Sequence, residues 1–111
     1  VLIYSSADPE IIKGIQAEYG RDAAGEMVER VMGRVASGLV ANGVRKLVVA
    51  GGETSGAVVQ ALNVRALRIG PEIDPGVPWT EALGDEPLAL ALKSGNFGAE
   101  DFFQKSLDML P

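Results

Sequence analysis

The spacing of apolar residues along this sequence predicts both strands and helices. Short, mainly apolar runs predict strands at 1–4, 47–50, 66–69 and 88–92. Apolar positions that recur every three or four residues predict amphipathic helices at 9–19, 24–41, 55–62 and around 102–110. Asp8-Pro9 is typical of a helix start and Gly20 of a helix end, which supports the first of these helices.

The order of these elements predicts an α/β fold. Strands alternate with helices, which is typical of a layered domain with a mostly parallel, mixed sheet flanked by helices. Residues 70–80, GPEIDPGVPWT, contain three prolines and two glycines and are predicted to form an irregular loop. Residues 80–83 are candidates for pairing with the last strand across 84–87.

Two glycine-rich turns each follow a predicted strand and precede a predicted helix. The first is Gly51-Gly52-Glu53-Thr54-Ser55-Gly56, and the second is Ser94-Gly95-Asn96-Phe97-Gly98. Ligands of open α/β sheets bind outside the carboxyl ends of the strands, where both turns are expected. Glycine lets backbone N–H groups approach a ligand closely, and the start of a helix adds unpaired N–H groups and partial positive charge. The turns therefore predict a site for an anion such as a phosphate.

This signal is weaker than a complete nucleotide-binding motif. The first turn lacks the lysine of the P-loop GxxxxGK[ST], and residues 51–56 do not form GxGxxG. A turn that merely reverses the chain is the alternative interpretation for each. The residues themselves indicate a phosphate or nucleotide site and do not specify which.

Composition and charge exclude several other classes of function. The 111 residues fit one domain, and the lack of cysteine and histidine excludes disulfides, thiolate metal sites and histidine bases. The net charge of −5, without a basic patch, argues against a nucleic-acid partner. The apolar runs are too short to span a membrane. The absence of cysteine is consistent with a reducing compartment, and we expect a cytoplasmic protein.

Three segments in this order resemble the four-carbon acid sugar kinases, in their C-terminal nucleotide-binding domain. The segments are VAGGETSGAVVQAL, RIGPEIDPGVPW and LALALKSGNFG, and within the family they are most similar to the 3-oxo-tetronate kinases. The resemblance covers nearly the whole chain. It implies ATP-dependent phosphorylation of the terminal hydroxyl of a four-carbon acid sugar, with magnesium bridging the nucleotide phosphates.

The resemblance also implies that further parts of such a kinase lie outside this sequence. The family's Asp-rich catalytic motif and a Ser-rich turn that touches ATP are absent, so no catalytic residue is assigned here. The chain starts at Val1 in an apolar run without an initiator methionine. We therefore expect residues 1–111 to be a nucleotide-binding domain, incomplete at its N-terminal side, from a larger two-domain kinase. The acceptor sugar acid would be bound by the other domain, and a homo-oligomer is compatible with the sequence.

Matched position by position, the resemblance implies an ATP site in the two glycine turns. The family's nucleotide loops fall on Gly52, Glu53, Thr54, Ser55 and Gly95, and we add their neighbours Gly51, Asn96 and Gly98. Metal ligands are not assigned. The alternatives are a D-threonate or D-erythronate kinase, which would share these loops, and a non-catalytic nucleotide-binding or interaction domain.

Three other residues allow two interpretations each. Lys93 could approach a phosphate, but a solvated lysine at a strand end is favoured. Trp79 could stack on an adenine, but packing beside the prolines is favoured. Asp74 is interpreted first as a turn residue and second as a ligand contact. Phe102 and Phe103 are expected in the core, as are Met27 and Met32 on the buried face of the long helix.

Overall fold

The computed structural model describes residues 1–110, in which four helices and four strands form a layered α/β domain. The helices are α1 (Pro9–Tyr19), α2 (Arg21–Ala41), α3 (Gly52–Ala61) and α4 (Phe102–Met109). The strands are β1 (Lys46–Ala50), β2 (Leu67–Asp74), β3 (Val77–Ala82) and β4 (Leu88–Lys93). No helix within residues 1–110 combines the length and apolar character needed to cross a membrane. The predicted α/β class and helix-flanked mixed sheet are confirmed.

The sheet is less parallel than the alternation of elements predicts. Its strand order is β1-β4-β3-β2, and only the β1–β4 pair is parallel. The β2–β3 and β3–β4 pairs are antiparallel, so the expectation of a mostly parallel sheet is wrong. The links at 75–76 and 83–87 are too short for the crossover connection that parallel neighbours require. The predicted pairing of residues 80–83 with the last strand is confirmed by the Thr80–Leu90 register.

Two predictions of local structure are wrong. Residues 1–4 form no strand, and all four are exposed. Residues 70–80 are no irregular loop, because they contain the end of β2 and the start of β3. Proline is tolerated at 71 because β2 is an edge strand. Pro78 lies in β3, opposite Glu72 between two register shifts and before the first β3–β4 pair at Trp79.

The sheet separates two apolar layers that its alternating side chains define. On one face, α4 covers a cluster comprising Ile73, Val77, Trp79, Ala91 and Phe102. On the other face, α2 and α3 cover two clusters, comprising Ala36, Val49 and Val58, and Ala82, Leu88 and Leu90. In β4, the alanines at 89 and 91 face α4 and the leucines at 88, 90 and 92 face α3. The small alanines leave room for the large rings of Trp79 and Phe102.

The long helix packs mainly on its helical neighbour. A Cβ at Gly33 would lie 3.0 Å from the Cβ of Ala61, so this glycine permits close approach of α2 to α3. Met27 and Phe103, both expected in the core, are 49% and 43% exposed. The α1 helix buries no residue, so its isoleucines face outward.

Candidate functional site

The two glycine turns lie side by side at one edge of the sheet. Because β1 and β4 are parallel neighbours, with Ala50 opposite Lys93, the turns leave the sheet at the carboxyl ends of adjacent strands. The N–H of Gly51 donates a hydrogen bond of 2.7 Å to the carbonyl oxygen of Lys93, which joins the two turns directly. The sequence-based expectation that both turns occupy the same edge is therefore confirmed.

The first turn presents free backbone N–H groups at the start of α3. Gly51 is the N-cap, with φ +113°, a conformation that favours glycine. The first intrahelical bond runs from the N–H of Ser55 to the carbonyl oxygen of Gly51, at 2.8 Å. No side chain caps the helix, so the N–H groups of Gly52, Glu53 and Thr54 remain without a helical partner. Together with the helix dipole they favour an anion.

Ser55 differs from the other predicted residues of this turn. Its side chain is 8% exposed, and its hydroxyl oxygen is buried without a hydrogen-bond partner. Buried hydroxyls usually have a partner. An orphaned hydroxyl in the first turns of α3 is compatible with a ligand group that completes its hydrogen bonding.

The second turn is a compact loop folded against the end of β4. The N–H of Phe97 donates to the carbonyl oxygen of Ser94 at 3.1 Å. The ammonium of Lys93 donates to the carbonyl oxygens of Ser94 and Gly95, at 3.3 and 3.1 Å. Lys93 is half-buried and lies at the end of β4, and its ammonium bonds are exposed, so it is a strand-end lysine that also contacts the second turn. Sequence adjacency to Ser94-Gly95 was the signal for this contact.

The predicted glycines have different structural roles. A Cβ at Gly52 or Gly95 would meet nothing within 4 Å, and neither residue has a positive φ. Gly98 has φ +90°, and a Cβ there would lie 3.0 Å from atoms of both Lys93 and Phe102. Gly98 is thus required by the loop itself, whereas Gly52 and Gly95 leave open space where a ligand could approach.

Asp74 connects the end of β2 to the segment that follows the second turn. Its side chain is buried, and its Oδ2 accepts a hydrogen bond of 3.0 Å from the N–H of Ala99. Its Oδ1 forms an ion pair with Lys105 of α4. The hydrogen bond from Lys105, followed by that from Ala99, lowers the pKa of Asp74. Asp74 is thus no simple turn residue.

The Asp74–Lys105 ion pair predicts that the chain loses stability at both extremes of pH. The pKa of Asp74 lies below its ordinary value of 3.8. The hydrogen bond that Lys105 donates to Asp74 raises the pKa of Lys105 above its ordinary value of 10.5. The contribution of Asp74 is complete above pH 3.8 and is lost as pH falls through its lowered pKa. The contribution of Lys105 is complete below pH 10.5 and is lost as pH rises through its raised pKa.

Urea unfolding across the pH range tests this dependence. The carboxylate of Asp101, 3.9 Å from Lys105, is the other charged group at the pair. An Asp74→Asn/Lys105→Met double variant should lack the part of the pH dependence that the pair contributes. Identical pH profiles for the double variant and the parent chain would contradict the prediction.

The remaining candidates are Trp79 in the core and Glu53 in the first turn. Trp79 is 2% exposed and donates from Nε1 to the carbonyl oxygen of Ser106 at 2.8 Å, so its packing interpretation is confirmed. Glu53 lines a cavity of about 400 Å³ with residues of α1 and α2, including Gln16 and Arg21. A larger cavity of about 760 Å³ lies between α2 and α3 and includes neither turn.

No group of three or more carboxylates within residues 1–110 is arranged to hold a metal ion. Asn96 in the second turn is exposed and makes no side-chain bond to the rest of the described chain.

Comparison with known proteins identifies the family. The family model described as nucleotide-binding C-terminal domain matches residues 1–103. The 3-oxo-tetronate kinase of Burkholderia multivorans is 63% identical over 110 residues, which is 99% of this chain and 26% of that protein. The chain thus spans about a quarter of the length of the curated relatives it matches.

Two solved structures have a similar fold. A Haemophilus influenzae protein has a TM-score of 0.87 and 43% identity, over 96% of this chain and 26% of its own. A Bordetella bronchiseptica domain of unknown function, a domain-swapped dimer with bound citrate, has a TM-score of 0.65 and 32% identity. That match covers 71% of this chain and 20% of the Bordetella chain.

Proposed function

Because this chain belongs to the family of nucleotide-binding C-terminal domains, we propose that it binds ATP for a kinase acting on four-carbon acid sugars. The kinase would phosphorylate the terminal hydroxyl of the sugar acid, as a 3-oxo-tetronate 4-kinase. The observation that carries the proposal is the direct bond between Gly51 and Lys93, which places both glycine turns at one edge of the sheet. The name of the Burkholderia multivorans relative supports the acceptor class.

In the proposed site, the phosphates of ATP lie against the start of α3 and the second turn. The proposed contacts are Gly51, Gly52, Glu53, Thr54 and Ser55 in the first turn and Gly95, Asn96 and Gly98 in the second. The free N–H groups of Gly52, Glu53 and Thr54 would donate to phosphate oxygens. Such bonds to a charged acceptor are stronger than neutral ones, which lets a chain of net charge −5 bind an anion locally.

The ammonium of Lys93 would supply positive charge beside these N–H groups. No carboxylate of residues 1–110 forms an ion pair with Lys93; its described hydrogen bonds go to two backbone carbonyls. An ammonium has three donors, so one remains for a phosphate oxygen. Magnesium would be held by the nucleotide phosphates and water, as is usual for this ion.

The reaction itself requires groups that these residues do not supply. Positioning and charge stabilisation carry most of the catalysis in phosphoryl transfer, and this chain would position the nucleotide. The acceptor and its base would be bound by a separate domain. We also propose a cytoplasmic location and a homo-oligomer, the latter supported by the dimeric Bordetella relative.

Exchange of the matching segment of the Burkholderia multivorans kinase for this chain tests the proposal. At 63% identity the graft should pack as the original segment does. We expect the chimera to phosphorylate 3-oxo-tetronate with ATP and magnesium. A preference for D-threonate or D-erythronate would be set by the host domain and would not count against nucleotide binding.

The control is a chimera that carries Gly52→Val and Gly95→Val in the grafted segment. It should fold and lose activity. If the chimera without the valine substitutions folds but binds no ATP, the proposal is overturned. A graft that binds ATP without supporting turnover would favour the non-catalytic nucleotide-binding domain.

A further inference from the structure

The second glycine turn is held in place by contacts far from it in sequence. On one side, Gly51 bonds to Lys93, and Lys93 bonds to the turn's carbonyls. On the other side, the β2–β3 hairpin reaches the turn at two points. The Phe97 ring lies so close to Gly76 that a Cβ there would be 2.9 Å from two ring atoms. The carboxylate of Asp74 accepts the N–H of Ala99.

The hydrogen bond between Asp74 and Ala99 is more specific than the packing of Phe97 on Gly76. The Asp74 carboxylate is buried, and it bonds to both the backbone after the turn and Lys105 in α4. A buried carboxylate without such partners would cost free energy, so the geometry of the pair is well determined. Ala99 is only four positions beyond Gly95. A displacement of Ala99 is therefore transmitted to the turn through a very short stretch of backbone.

We propose that Asp74 is a positioning residue for the nucleotide site, because its bonds to Ala99 and Lys105 hold the second glycine turn against the start of α3. This inference rests on the proposed ATP site. Asp74 acts through Ala99 and touches no ligand itself. Without the bond to Ala99, the turn would sample positions in which its N–H groups no longer face the phosphates, and ATP would bind less tightly.

The test compares Asp74→Ala with Asp74→Asn in the 111-residue chain and in the Burkholderia multivorans chimera. Alanine removes the acceptor for the Ala99 N–H. Asparagine keeps one acceptor oxygen for the Ala99 N–H, but its NH2 group cannot accept from Lys105, so it loses the ion pair. We expect Asp74→Ala to weaken ATP affinity about tenfold, as misplacement of a site by a supporting residue commonly does. Asp74→Asn should recover most of that loss.

Two further readouts separate positioning from a general loss of stability. In Asp74→Ala, backbone amides 95–99 should exchange hydrogen faster, while amides of β1 should not. In the chimera, KM for ATP should rise about tenfold and KM for the acceptor should stay unchanged. Loss of folded protein would instead lower kcat and leave both KM values unchanged. Glu86→Gln is the matched control, because Glu86 pairs with Arg45 near the amino ends of β1 and β4, at the opposite end of these strands from the two turns.

The outcomes distinguish this inference from the proposed function. If the parent chain binds ATP and the Asp74→Ala variant binds it equally well, the positioning role is overturned and the ATP site stands. If neither the parent chain nor the chimera binds ATP, both the positioning role and the proposed ATP site are overturned, whatever the hydrogen-exchange rates of the amides. Equal ATP affinity losses in the alanine and asparagine variants would also overturn the positioning role, because they would mean that the bond to Ala99 has no part in the effect.

Discussion

A Gly52→Val/Gly95→Val double variant should lose ATP affinity by about 100-fold or more while keeping its fold. Both glycines have open space where a Cβ would lie, and neither has a positive φ. Valine at both positions should therefore fit the backbone without strain. Its branched side chains would occupy the space from which phosphate oxygens reach the N–H groups. The loss of two hydrogen bonds to charged groups corresponds to about 3 kcal/mol or more.

Calorimetric titration with ATP and magnesium measures this effect. The matched control is Gly38→Val/Gly84→Val, because these glycines also have open Cβ positions and no positive φ. Gly38 lies near the end of α2, which leads into β1, and Gly84 lies in the link before β4. Both are therefore toward the amino ends of these strands, away from the two turns. The control should bind ATP as the parent does. Unchanged affinity in the Gly52/Gly95 variant would mean that the turns are architectural.

A Trp79→Ala variant should lose about 3–5 kcal/mol in the free energy of unfolding. Trp79 is 2% exposed and packs against Ile73, Ala91 and Phe102, between the sheet and α4. Its removal leaves a cavity that the small alanines of β4 cannot fill. It also leaves the carbonyl oxygen of Ser106 without its indole donor. Because domains of this size are stable by only about 5–15 kcal/mol, the variant would be close to unfolding.

Urea unfolding followed by circular dichroism measures this loss, since the variant lacks the only tryptophan of the chain. Trp79→Phe should lose less, because it keeps a large ring and forfeits mainly the hydrogen bond. Phe103→Ala serves as the aromatic control, and at 43% exposure it should cost about 1 kcal/mol or less. A loss below about 1 kcal/mol in Trp79→Ala would contradict the central packing role of this ring.

The helices and the buried strands could be predicted from the sequence because their signals are local. The apolar spacing predicted α2, and its observed bounds differ by only a few residues. The wholly apolar run before Gly51 predicted β1. The glycine turns could be predicted for the same reason, since a strand, a glycine pair and a helical pattern follow one another directly. Their place at the same edge followed from the general rule for α/β sheets.

The tertiary structure decided what depends on residues distant in sequence. Prolines predicted a loop at 70–80, but the edge position and irregular pairing of β2 allow a hairpin there. The apolar run at 1–4 found no partner strand among residues 1–110 and stays exposed. Asp74 meets Ala99 and Lys105 only because the hairpin folds beside α4. Local patterns thus determine the helices and the two turns. Strand pairing determines the β2–β3 hairpin and how the second turn is held, because those contacts exist only in the folded chain.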